Sequence, residues 1–451
     1  MTSAAQVEKE QGNIAFKAGK LATALEHYTK AMNLDPADVT FPLNRAMANL
    51  KLRRWSEAEK DASAALHLEP ENLKAHWRRC AARKELGDFT GARQDLWAYF
   101  HAGGEPQHLV DENIKISRAE VEAMLVATRQ STSKFFKVKE SPGKGLGAFA
   151  TRAFQRGDLV FAERPLYILS KDQAEQGMLE VMFRVSPSAR KEFMSLHDSG
   201  TFPVPPEGDP IINNPQAAEM VKIRSIQDSN ALGAGADKLV LGLRFARFNF
   251  SCAPNARYSW HDATRTMRLH ALRTIEKGEE ITFASATQDD MYGKTRKERQ
   301  ERLKPYNFAC LCTACTLPRP EQVGSDRRRK ELLRLHDGLH VHREHIREPW
   351  QTKSKLFDVV KALRIMEEEG LAADMDDFTS MASQLCSFHS DWESVKYWAT
   401  RTYETRAAQY GGDSQRALGA LEPQMIDLLL SPRTTELAGK GQVELFTDVR
   451  P

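Results

Sequence analysis

The first hundred residues repeat with a period of 34 positions, and this period constrains the fold more than any other feature of the chain. Gly12, Ala46 and Cys80 fall at one position of the repeat. Further equivalent residues are Ala24, Ala58 and Ala92 at a second position, and Pro36 and Pro70 at a third. Small residues recur where paired helices pack closely, and proline recurs because it cannot continue a helix. The period predicts three helix-turn-helix units over about residues 5–102.

A helix-turn-helix period of 34 residues is typical of tetratricopeptide (TPR) repeats, which stack into a solenoid. The first helix of each repeat lines the concave groove of such a solenoid, and this groove is the usual binding surface. Five polar residues are predicted to lie there: Lys9, Asn13, Asn44, Lys74 and Arg78. Because lysine and arginine bind carboxylates through charge-assisted hydrogen bonds, this set predicts an acidic ligand.

The sequence around these five residues resembles the dicarboxylate-clamp TPR proteins, which bind the C-terminal Glu-Glu-Val-Asp of heat-shock chaperones. The resemblance is carried by residues 9–13, 44–46 and 74–78. It implies that the acidic tail of a heat-shock chaperone is a partner of this chain. The alternative is that the five residues only keep a helical array soluble.

After the repeats, the composition and the hydrophobic spacing change. Residues 1–105 are predicted to form the TPR array and residues 106–134 a connecting helix. Residues 135–317 contain glycine-rich and strand-like segments, with a helical insert at residues 172–237, and residues 318–451 are predicted to be helical. The expected fold class is α+β and multidomain, with an N-terminal α-solenoid, a central β-rich domain and a C-terminal helical lobe.

Four segments of the central domain follow one another in an informative order. Residues 141–150 form a glycine-rich turn, residues 247–256 contain Asn-Phe-Ser-Cys-Ala-Pro-Asn, residues 275–282 contain Gly-Glu-Glu-Ile-Thr, and residues 306–315 end in Cys-x-Cys-x-x-Cys. Together they resemble the SET domain of protein-lysine methyltransferases, in particular the SET–MYND subgroup. The resemblance implies a mostly β fold in which residues 249–255 thread a loop to form a pseudoknot. It also implies S-adenosylmethionine (SAM) as cofactor and lysine as acceptor.

The cysteines of this domain predict a structural zinc site after the SET motifs. A structural zinc takes four ligands in a tetrahedron, and Cys310, Cys312 and Cys315 supply three. Cys252 is the candidate for the fourth, because in the family the cysteine of the pseudoknot segment completes this post-SET zinc site. The alternative is four free thiols. No cysteine lies between Cys80 and Cys252, so the zinc finger that interrupts the fold in SET–MYND proteins is not expected.

The resemblance also assigns cofactor contacts. By position, the residues implied to contact SAM are Lys144, Gly145, Leu146, Asn230, Asn249, Phe250 and Phe308. The glycine-rich turn is expected to offer backbone N–H groups, and Phe308 to stack near the adenine. For Phe308, a plain core aromatic is the alternative. Phe250 stands where the family has a histidine.

The catalytic positions differ from the family's pattern. Tyr306 matches one wall of the lysine channel, but the tyrosine expected after Gly-Glu-Glu-Ile-Thr falls on Ser285. In the family that tyrosine aligns the lysine nitrogen, and methyl transfer depends strongly on alignment. Tyr292, seven residues later, is an alternative source of a phenol. The sequence therefore predicts either a protein-lysine methyltransferase recruited through its TPR groove, or a catalytically weak adaptor that keeps the SET scaffold.

Composition narrows the cellular context. The chain of 451 residues has a formal net charge of +3 with 28% charged residues, which argues against direct nucleic-acid binding. No apolar run reaches the roughly 18 residues needed to span a bilayer, and the N-terminus lacks the apolar core of a signal peptide. Three of the six cysteines lie within six positions, which fits a metal site in a reducing compartment. We expect a cytoplasmic or nuclear protein that does not enter a membrane.

Overall fold

The structure is a computed structural model of the chain. It describes residues 3–130, 134–172, 174–198, 200, 215–284, 292–339, 345–371 and 375–418. The chain divides into two compact units, Met1–Ala123 and Met124–Pro451, and each has its own buried clusters of apolar side chains.

The first unit contains three consecutive helix pairs. They are α1 (Ala4–Lys17) with α2 (Leu21–Leu34), α3 (Thr40–Lys51) with α4 (Trp55–Leu68), and α5 (Leu73–Leu86) with α6 (Phe89–His101). The repeated alanines Ala24, Ala58 and Ala92 are fully buried. A Cβ atom at Gly12 would lie 2.5 Å from the ring of Tyr28, so only glycine fits at this helix crossing. The helical array predicted from the 34-residue period is confirmed.

An arginine–aspartate pair recurs with the same period. Arg45 donates from Nε and Nη2 to Asp61 at 3.1 and 2.5 Å, and Arg79 donates to Asp95 at 2.9 and 2.6 Å. Both aspartates are buried, so each carboxylate needs its bidentate partner. The pairs fasten the first helix of a repeat to its second helix in repeats two and three.

A long helix, α7 (Pro106–Gln130), follows the array. Within the first unit, Lys84 Nζ lies 2.5 Å from Glu112 Oε1, and Arg93 pairs with Glu120. These ion pairs hold the beginning of α7 against the helices of repeat three. The boundary between the two units falls inside α7.

After the end of α7, the described residues of the second unit form ten short strands in three sheets. They are β1 (Phe136–Ser141), β2 (Gly145–Ala150), β3 (Leu159–Glu163), β4 (Tyr167–Ser170), β5 (Leu232–Gly233), β6 (Lys238–Leu241), β7 (Asn249–Phe250), β8 (Ala256–His261), β9 (Thr266–Ala271) and β10 (Thr282–Ala284). Strands β1 and β2 form an antiparallel hairpin. The five-stranded sheet has the order β3-β9-β8-β10-β7, and the three-stranded sheet has the order β4-β6-β5.

Strand β10 lies between β7 and β8 and is parallel to both. The intervening residues 251–255, which belong to the segment predicted to thread a loop, therefore cross from one side of β10 to the other. The buried Asn255 fixes this crossing. Its Nδ2 donates to the Glu280 carbonyl oxygen at 2.8 Å, and its Oδ1 accepts from the Thr282 N–H at 2.8 Å.

Every residue of β9 is buried, because both faces of this strand are covered. Met267 and Leu269 point into an aromatic core that includes Phe161 and Phe245. The alternate residue Arg268 points the other way, toward the end of the C-terminal helices. This two-sided burial is typical of a central strand.

The other described segments of the second unit are mostly helical. Between β4 and β5 lie α8 (Ala174–Arg184), α9 (Pro187–Phe193) and α10 (Pro215–Asn230), within the range predicted to be a helical insert. After β10 come α11 (Arg296–Leu303), α12 (Thr313–Thr316), α13 (Arg319–Leu339), α14 (Pro349–Glu368), α15 (Met375–Ser387), α16 (Trp392–Tyr410) and α17 (Gln415–Leu418). The predicted α+β architecture is confirmed. None of the described helices combines the length and apolarity that crossing a bilayer requires.

Candidate functional site

Four buried cysteines from two distant segments meet at one point. Cys252 follows β7, Cys310 and Cys312 lie in the loop after α11, and Cys315 lies in α12. Their sulfur atoms all lie within 4.8 Å of one another, and Cys252 Sγ is 3.7 Å from Cys315 Sγ. Tetrahedral zinc with Zn–S bonds of about 2.3 Å requires sulfur atoms about 3.8 Å apart. The donor set therefore fits a structural zinc.

The cysteine loop is held by reciprocal hydrogen bonds from α11. Gln300 Nε2 donates to the Cys310 carbonyl oxygen at 2.9 Å, and the Cys310 N–H donates to Gln300 Oε1 at 3.1 Å. The Cys312 carbonyl oxygen begins the short helix α12 by accepting from the Cys315 N–H at 2.9 Å. The loop geometry is thus fixed by hydrogen bonds within the chain, which preorganises the thiols.

The glycine-rich turn between β1 and β2 lies against this loop. Gly143 and Gly145 both have φ of 73°, a left-handed conformation that favours glycine. A Cβ atom at Gly143 would lie 2.6 Å from Leu311 Cδ1 of the cysteine loop. The Lys144 N–H closes the turn by donating to the Ser141 carbonyl oxygen at 2.9 Å.

Glu280 joins the glycine-rich turn to β7, and the sequence analysis gave it no role. Lys144 Nζ lies 2.8 Å from Glu280 Oε2, and Asn249 Nδ2 donates to Glu280 Oε1 at 2.7 Å. A Cβ atom at Gly147 would lie 2.5 Å from the same carboxylate and 2.9 Å from Asn249 Nδ2. Burial raises the pKa of Glu280, but the hydrogen bonds from Lys144 and Asn249 lower it more, so the group is ionised at neutral pH.

Two aromatic residues predicted to lie near the cofactor meet beside the cysteines. The rings of Phe250 and Phe308 are 6.0 Å apart and inclined at 67°, an edge-to-face arrangement. Both side chains are half-buried and pack against the cysteine cluster. Asn249, which precedes Phe250, is thereby fixed between this aromatic pair and Glu280.

A cavity of about 810 Å³ opens beside Phe250 and the last residue of β10, Ala284. Its aromatic walls are Tyr258, Trp260, Tyr292 and Tyr410. Burial raises the pKa of Tyr258, whose hydroxyl donates to the Gly233 carbonyl oxygen at 2.9 Å. The walls are therefore apolar over most of their area and keep a few fixed polar groups.

The far wall of the cavity is fixed by a buried ion pair. Arg268 Nη1 lies 2.6 Å from Asp413 Oδ1, and Nη2 lies 3.1 Å from Oδ2, with both side chains fully buried. His261 Nε2 lies 3.2 Å from the same carboxylate. Burial raises the pKa of Asp413, but hydrogen bonds from His261 and Arg268 lower it to well below its usual range. Asp413 and the neighbouring Ser414 line the cavity.

In the first unit, the predicted groove residues form a partial network. Asn13 Oδ1 accepts hydrogen bonds from Tyr28 Oη at 3.0 Å and from Asn44 Nδ2 at 3.3 Å. Arg78 is half-buried, and its Nη1 is buried with no hydrogen-bond partner among the described residues. Burial lowers the pKa of the Arg78 guanidinium, which shows how poorly water solvates this cation.

The two lysines of the predicted groove lie in α1 and α5, where Lys74 is exposed and Lys9 is half-buried. Burial raises the pKa of Asp38, but hydrogen bonds from Thr40 and Gln6 lower it more, and nearby Lys9 lowers it further. The five predicted groove residues thus offer two amides, one half-buried guanidinium and two ammonium groups.

Comparison with known families agrees with the geometry of the second unit. Residues 145–284 match the SET domain family, and this range begins at Gly145 of the glycine-rich segment and holds Asn249, Phe250, Cys252 and Glu280. These residues form a SET domain. The chain is 28% identical over 329 residues to histone-lysine N-methyltransferase set5 of Schizosaccharomyces pombe, which covers 70% of this chain and 90% of that protein.

The N-terminal region is TPR-like. It is 43% identical over 94 residues to RNA polymerase II-associated protein 3 of Xenopus tropicalis, but the match spans only 14% of that protein and 21% of this chain. The first TPR domain of Spaghetti (RPAP3) bound to the HSP90 peptide SRMEEVD is a similar solved structure, with 37% identity over 26% of this chain and 91% of that chain. Its TM-score is 0.25.

The SET domain brings some of the predicted site residues together and leaves others apart. Asn230 ends α10, where its Nδ2 donates to the Ile226 and His197 carbonyl oxygens at 2.7 and 2.8 Å. Tyr306 is 37% exposed after α11. Within the part of the chain that the structure describes, neither residue lines the cavity beside Phe250. Ser285 lies outside the described residues.

Proposed function

We propose that the chain is a SAM-dependent protein-lysine methyltransferase that a TPR groove recruits to its partners. The observation that carries the proposal is the bridge through Glu280, which brings Lys144 of the glycine-rich turn and Asn249 to one carboxylate. The edge-to-face pair of Phe250 and Phe308 adjoins this bridge. A turn, an amide and an aromatic pair thus converge at one edge of the SET domain.

These residues fit the chemistry of SAM. An adenine ring needs an apolar and aromatic surface, which Phe308 supplies, and the amino-acid portion needs fixed polar groups, which Asn249 and the turn supply. Lys144 has its backbone N–H and its ammonium engaged within the protein, so Gly145 and Leu146 are the turn residues left to face a cofactor. When bound, SAM supplies an electrophilic methyl group on a sulfonium.

The cysteine cluster is proposed to hold one structural zinc. Cys252 comes from the crossing segment of the SET domain, and the other three ligands come from the loop and helix after α11. A metal bound by both segments would fix Phe308, which lies two residues before Cys310, over the cofactor edge. Zinc would therefore order the site and take no part in the chemistry.

The cavity beside Phe250 is the proposed entrance for the acceptor lysine. Only a neutral amine is nucleophilic, and an apolar cavity favours the neutral form of lysine by burial. The aromatic walls supplied by Tyr258, Trp260 and Tyr410 exclude water and restrict the approach of a side chain. In-line methyl transfer depends on such restriction, because alignment of the reacting atoms contributes much of the rate.

The TPR groove is proposed to bind the acidic C-terminal tail of a heat-shock chaperone. Arg78 offers a buried Nη1 that no described residue satisfies, and a carboxylate would supply the missing acceptor. Asn13 and Asn44 are already linked by a hydrogen bond, so these amides are preorganised. Lys9 and Lys74 add charge at the groove, which suits a ligand with several carboxylates.

One observation favours a second candidate, an adaptor that keeps the SET scaffold but transfers methyl groups slowly or not at all. Phe250 offers no hydrogen-bonding group where the family has a histidine, and its ring packs against Phe308 instead. The residue after Ala284, where the family has its tyrosine, is Ser285.

Titration calorimetry with SAM, paired with methyl transfer from radiolabelled SAM to histones and to the protein itself, tests the proposal. We expect SAM to bind, and Asn249→Ala to weaken binding about tenfold or more, as loss of a buried hydrogen bond predicts. Asn33→Ala, at an exposed position of α2, is the matched control. Binding without transfer would favour the adaptor, and no binding of SAM would overturn both the cofactor and the enzyme assignment.

A further inference from the structure

Arg299 on α11 is completely buried beside the cysteine cluster. Its Nη1 donates to the Lys294 carbonyl oxygen at 2.6 Å. Its Nη2 lies 3.4 Å from the Ala314 carbonyl oxygen and 3.7 Å from Cys315 Sγ. The Nε atom is buried and has no hydrogen-bond partner among the described residues.

Among the described residues, the carboxylate partner of this guanidinium is held only loosely. Asp326 Oδ1 is 4.0 Å from Arg299 Nη1, and the same oxygen accepts hydrogen bonds from the Arg296 N–H and from Gln322 Nε2. A buried cation is strongly unfavourable unless an anion lies close to it. The sulfur of Cys315 is the potentially anionic atom nearest to Arg299.

A second buried arginine lies behind the first. Arg329 on α13 is fully buried, and its Nε donates to Glu369 Oε2 at 3.0 Å. Glu369 also accepts from Ser325 at 2.5 Å and pairs with Arg328 at 2.6 Å. One carboxylate therefore serves two guanidinium groups, and Arg329 Nη2 is buried with no hydrogen-bond partner in the described ranges. Arg328 also pairs with Glu368 at 3.5 Å, whereas the described ion pair of Arg329 is the one with Glu369 at 3.0 Å.

Four thiolates around one zinc ion would supply the missing negative charge. The zinc contributes two positive charges and the thiolates four negative charges, so such a cluster carries a net charge of minus two. Without that cluster, Arg299 keeps only the carboxylate of Asp326 at 4.0 Å. The buried guanidinium beside Cys315 thus complements the charge of the metal-bound cysteines.

We propose that Arg299, supported by Arg329, is the counter-charge of the four-cysteine zinc cluster and slows the release of its metal. The proposal rests on the zinc site described under the proposed function. Arg299 acts through Cys315, so it is a positioning residue and not a ligand. Arg329 on α13 pairs with Glu369, which follows α14, at 3.0 Å.

Zinc release from the full-length protein tests this role. Zinc bound per chain is first measured by elemental analysis, and release is then followed by the absorbance of 4-(2-pyridylazo)resorcinol. We expect about one zinc per chain and release about tenfold faster or more from Arg299→Gln, which keeps a donor but loses the charge. Arg299→Lys keeps the charge and is expected to restore slow release. Arg296→Gln, on the exposed side of the same helix, is the matched control.

The outcomes separate this inference from the zinc assignment. Wild-type protein without metal would overturn the zinc site itself. One zinc per chain with equal release rates for the wild type and Arg299→Gln would overturn the role of Arg299 and leave the zinc site intact. If Arg299→Gln does not fold, zinc release from Arg329→Gln is compared with zinc release from the wild type instead.

Thermal unfolding gives a second measurement, which is expected to differ between the two proteins only if Arg299 acts through its charge. Stripping the metal from the wild type leaves Arg299 without the charge of the cluster, whereas stripping it from Arg299→Gln leaves no buried cation at that position. The fall in melting temperature on metal removal is therefore expected to be smaller in Arg299→Gln than in the wild type. Equal falls would contradict the proposal.

Discussion

Arg268 and Asp413 form a bidentate ion pair in which neither side chain is exposed to solvent, although 145 residues separate them in sequence. Arg268 belongs to β9, and Asp413 follows α16. Because the pair is buried, most of its importance lies in the cost of leaving either charge alone.

Asp413→Asn is therefore expected to destabilise the second unit by roughly 3–5 kcal/mol, because Arg268 would remain buried without its counter-charge. Urea-induced unfolding measures the change in free energy, with Asp237→Asn at an exposed position as the control. The double variant Arg268→Met with Asp413→Leu removes both charges and is expected to be more stable than Asp413→Asn. A double variant that is less stable than the single one would contradict this account.

Glu163 makes the stability of the protein depend on pH in the opposite sense from an ordinary carboxylate. Its oxygens accept from the Arg244 and Phe245 N–H groups at 3.3 and 2.9 Å. Burial nevertheless raises the pKa of Glu163 to about 7. The folded state therefore holds this proton more tightly than the unfolded chain does. Its contribution is fully present below pH 4.5, the usual pKa of a glutamate, and is lost as pH rises to about 7.

This shift corresponds to roughly 3 kcal/mol, so it is measurable against the background of other groups. We expect Glu163→Gln to remove part of the decrease in melting temperature between pH 5 and pH 8. Glu140→Gln, at an exposed position of β1, is the control and is expected to follow the wild type. Parallel pH profiles for the wild type and Glu163→Gln would show that Glu163 ionises normally.

The helix pairs and the cysteine cluster could be predicted because both depend on the spacing and order of residues along the chain. The 34-residue period predicted the helix pairs because each repeat buries the same small residues, such as Ala24 and Ala58. The three clustered cysteines and Cys252 were predicted to share a site, and the structure brings their sulfur atoms within 4.8 Å. Short-range patterns and a motif with a known order were sufficient for both.

Long-range charge pairing was missed. In the sequence, Glu280 is only one residue of Gly-Glu-Glu, yet in the structure it binds Lys144, which lies 136 residues away. Asp413 lay in a segment that the sequence described only as helical, and nothing in its neighbourhood indicates Arg268 as the partner. Such pairs are set by the tertiary arrangement of sheets and helices, which hydrophobic periodicity does not specify.

We expect the TPR groove to bind peptides that end in Glu-Glu-Val-Asp. Lys74→Ala and Arg78→Ala each remove one charged contact, which typically costs ~1.5–3 kcal/mol, or about tenfold or more in affinity. The effect is expected to be larger for Arg78, because its guanidinium is the poorly solvated one. Fluorescence anisotropy with a labelled chaperone-tail peptide measures the affinity.

Two controls make this test specific for a carboxylate clamp. Lys60→Ala removes an exposed charge from a second helix of the repeats and is expected to bind as the wild type does. A peptide with an amidated C-terminus lacks one carboxylate and is expected to bind more weakly to the wild type. Equal affinity of the wild type, Lys74→Ala and Arg78→Ala would leave the groove without a role in acidic-tail binding.

The last prediction separates an enzyme from an adaptor at the residue that follows β10. Ala284, the last residue of β10, lines the cavity together with Phe250 at the proposed lysine entrance, and Ser285 follows it in sequence. Ser285 is too short to replace the phenol of a tyrosine, and loss of one preorganised polar group at a reacting centre commonly lowers the rate by ~100–1,000-fold. We expect Ser285→Tyr to raise methyl transfer to histones, and more so with Phe250→His.

Ser285→Phe adds the ring without the hydroxyl and is the matched control. A gain in Ser285→Tyr that is absent from Ser285→Phe would identify the hydroxyl as the missing group. Fast transfer by the wild type, with no gain from Ser285→Tyr, would contradict this and mean that another phenol acts in its place. Tyr292 lines the same cavity, and a large loss of rate in Tyr292→Phe would then identify it.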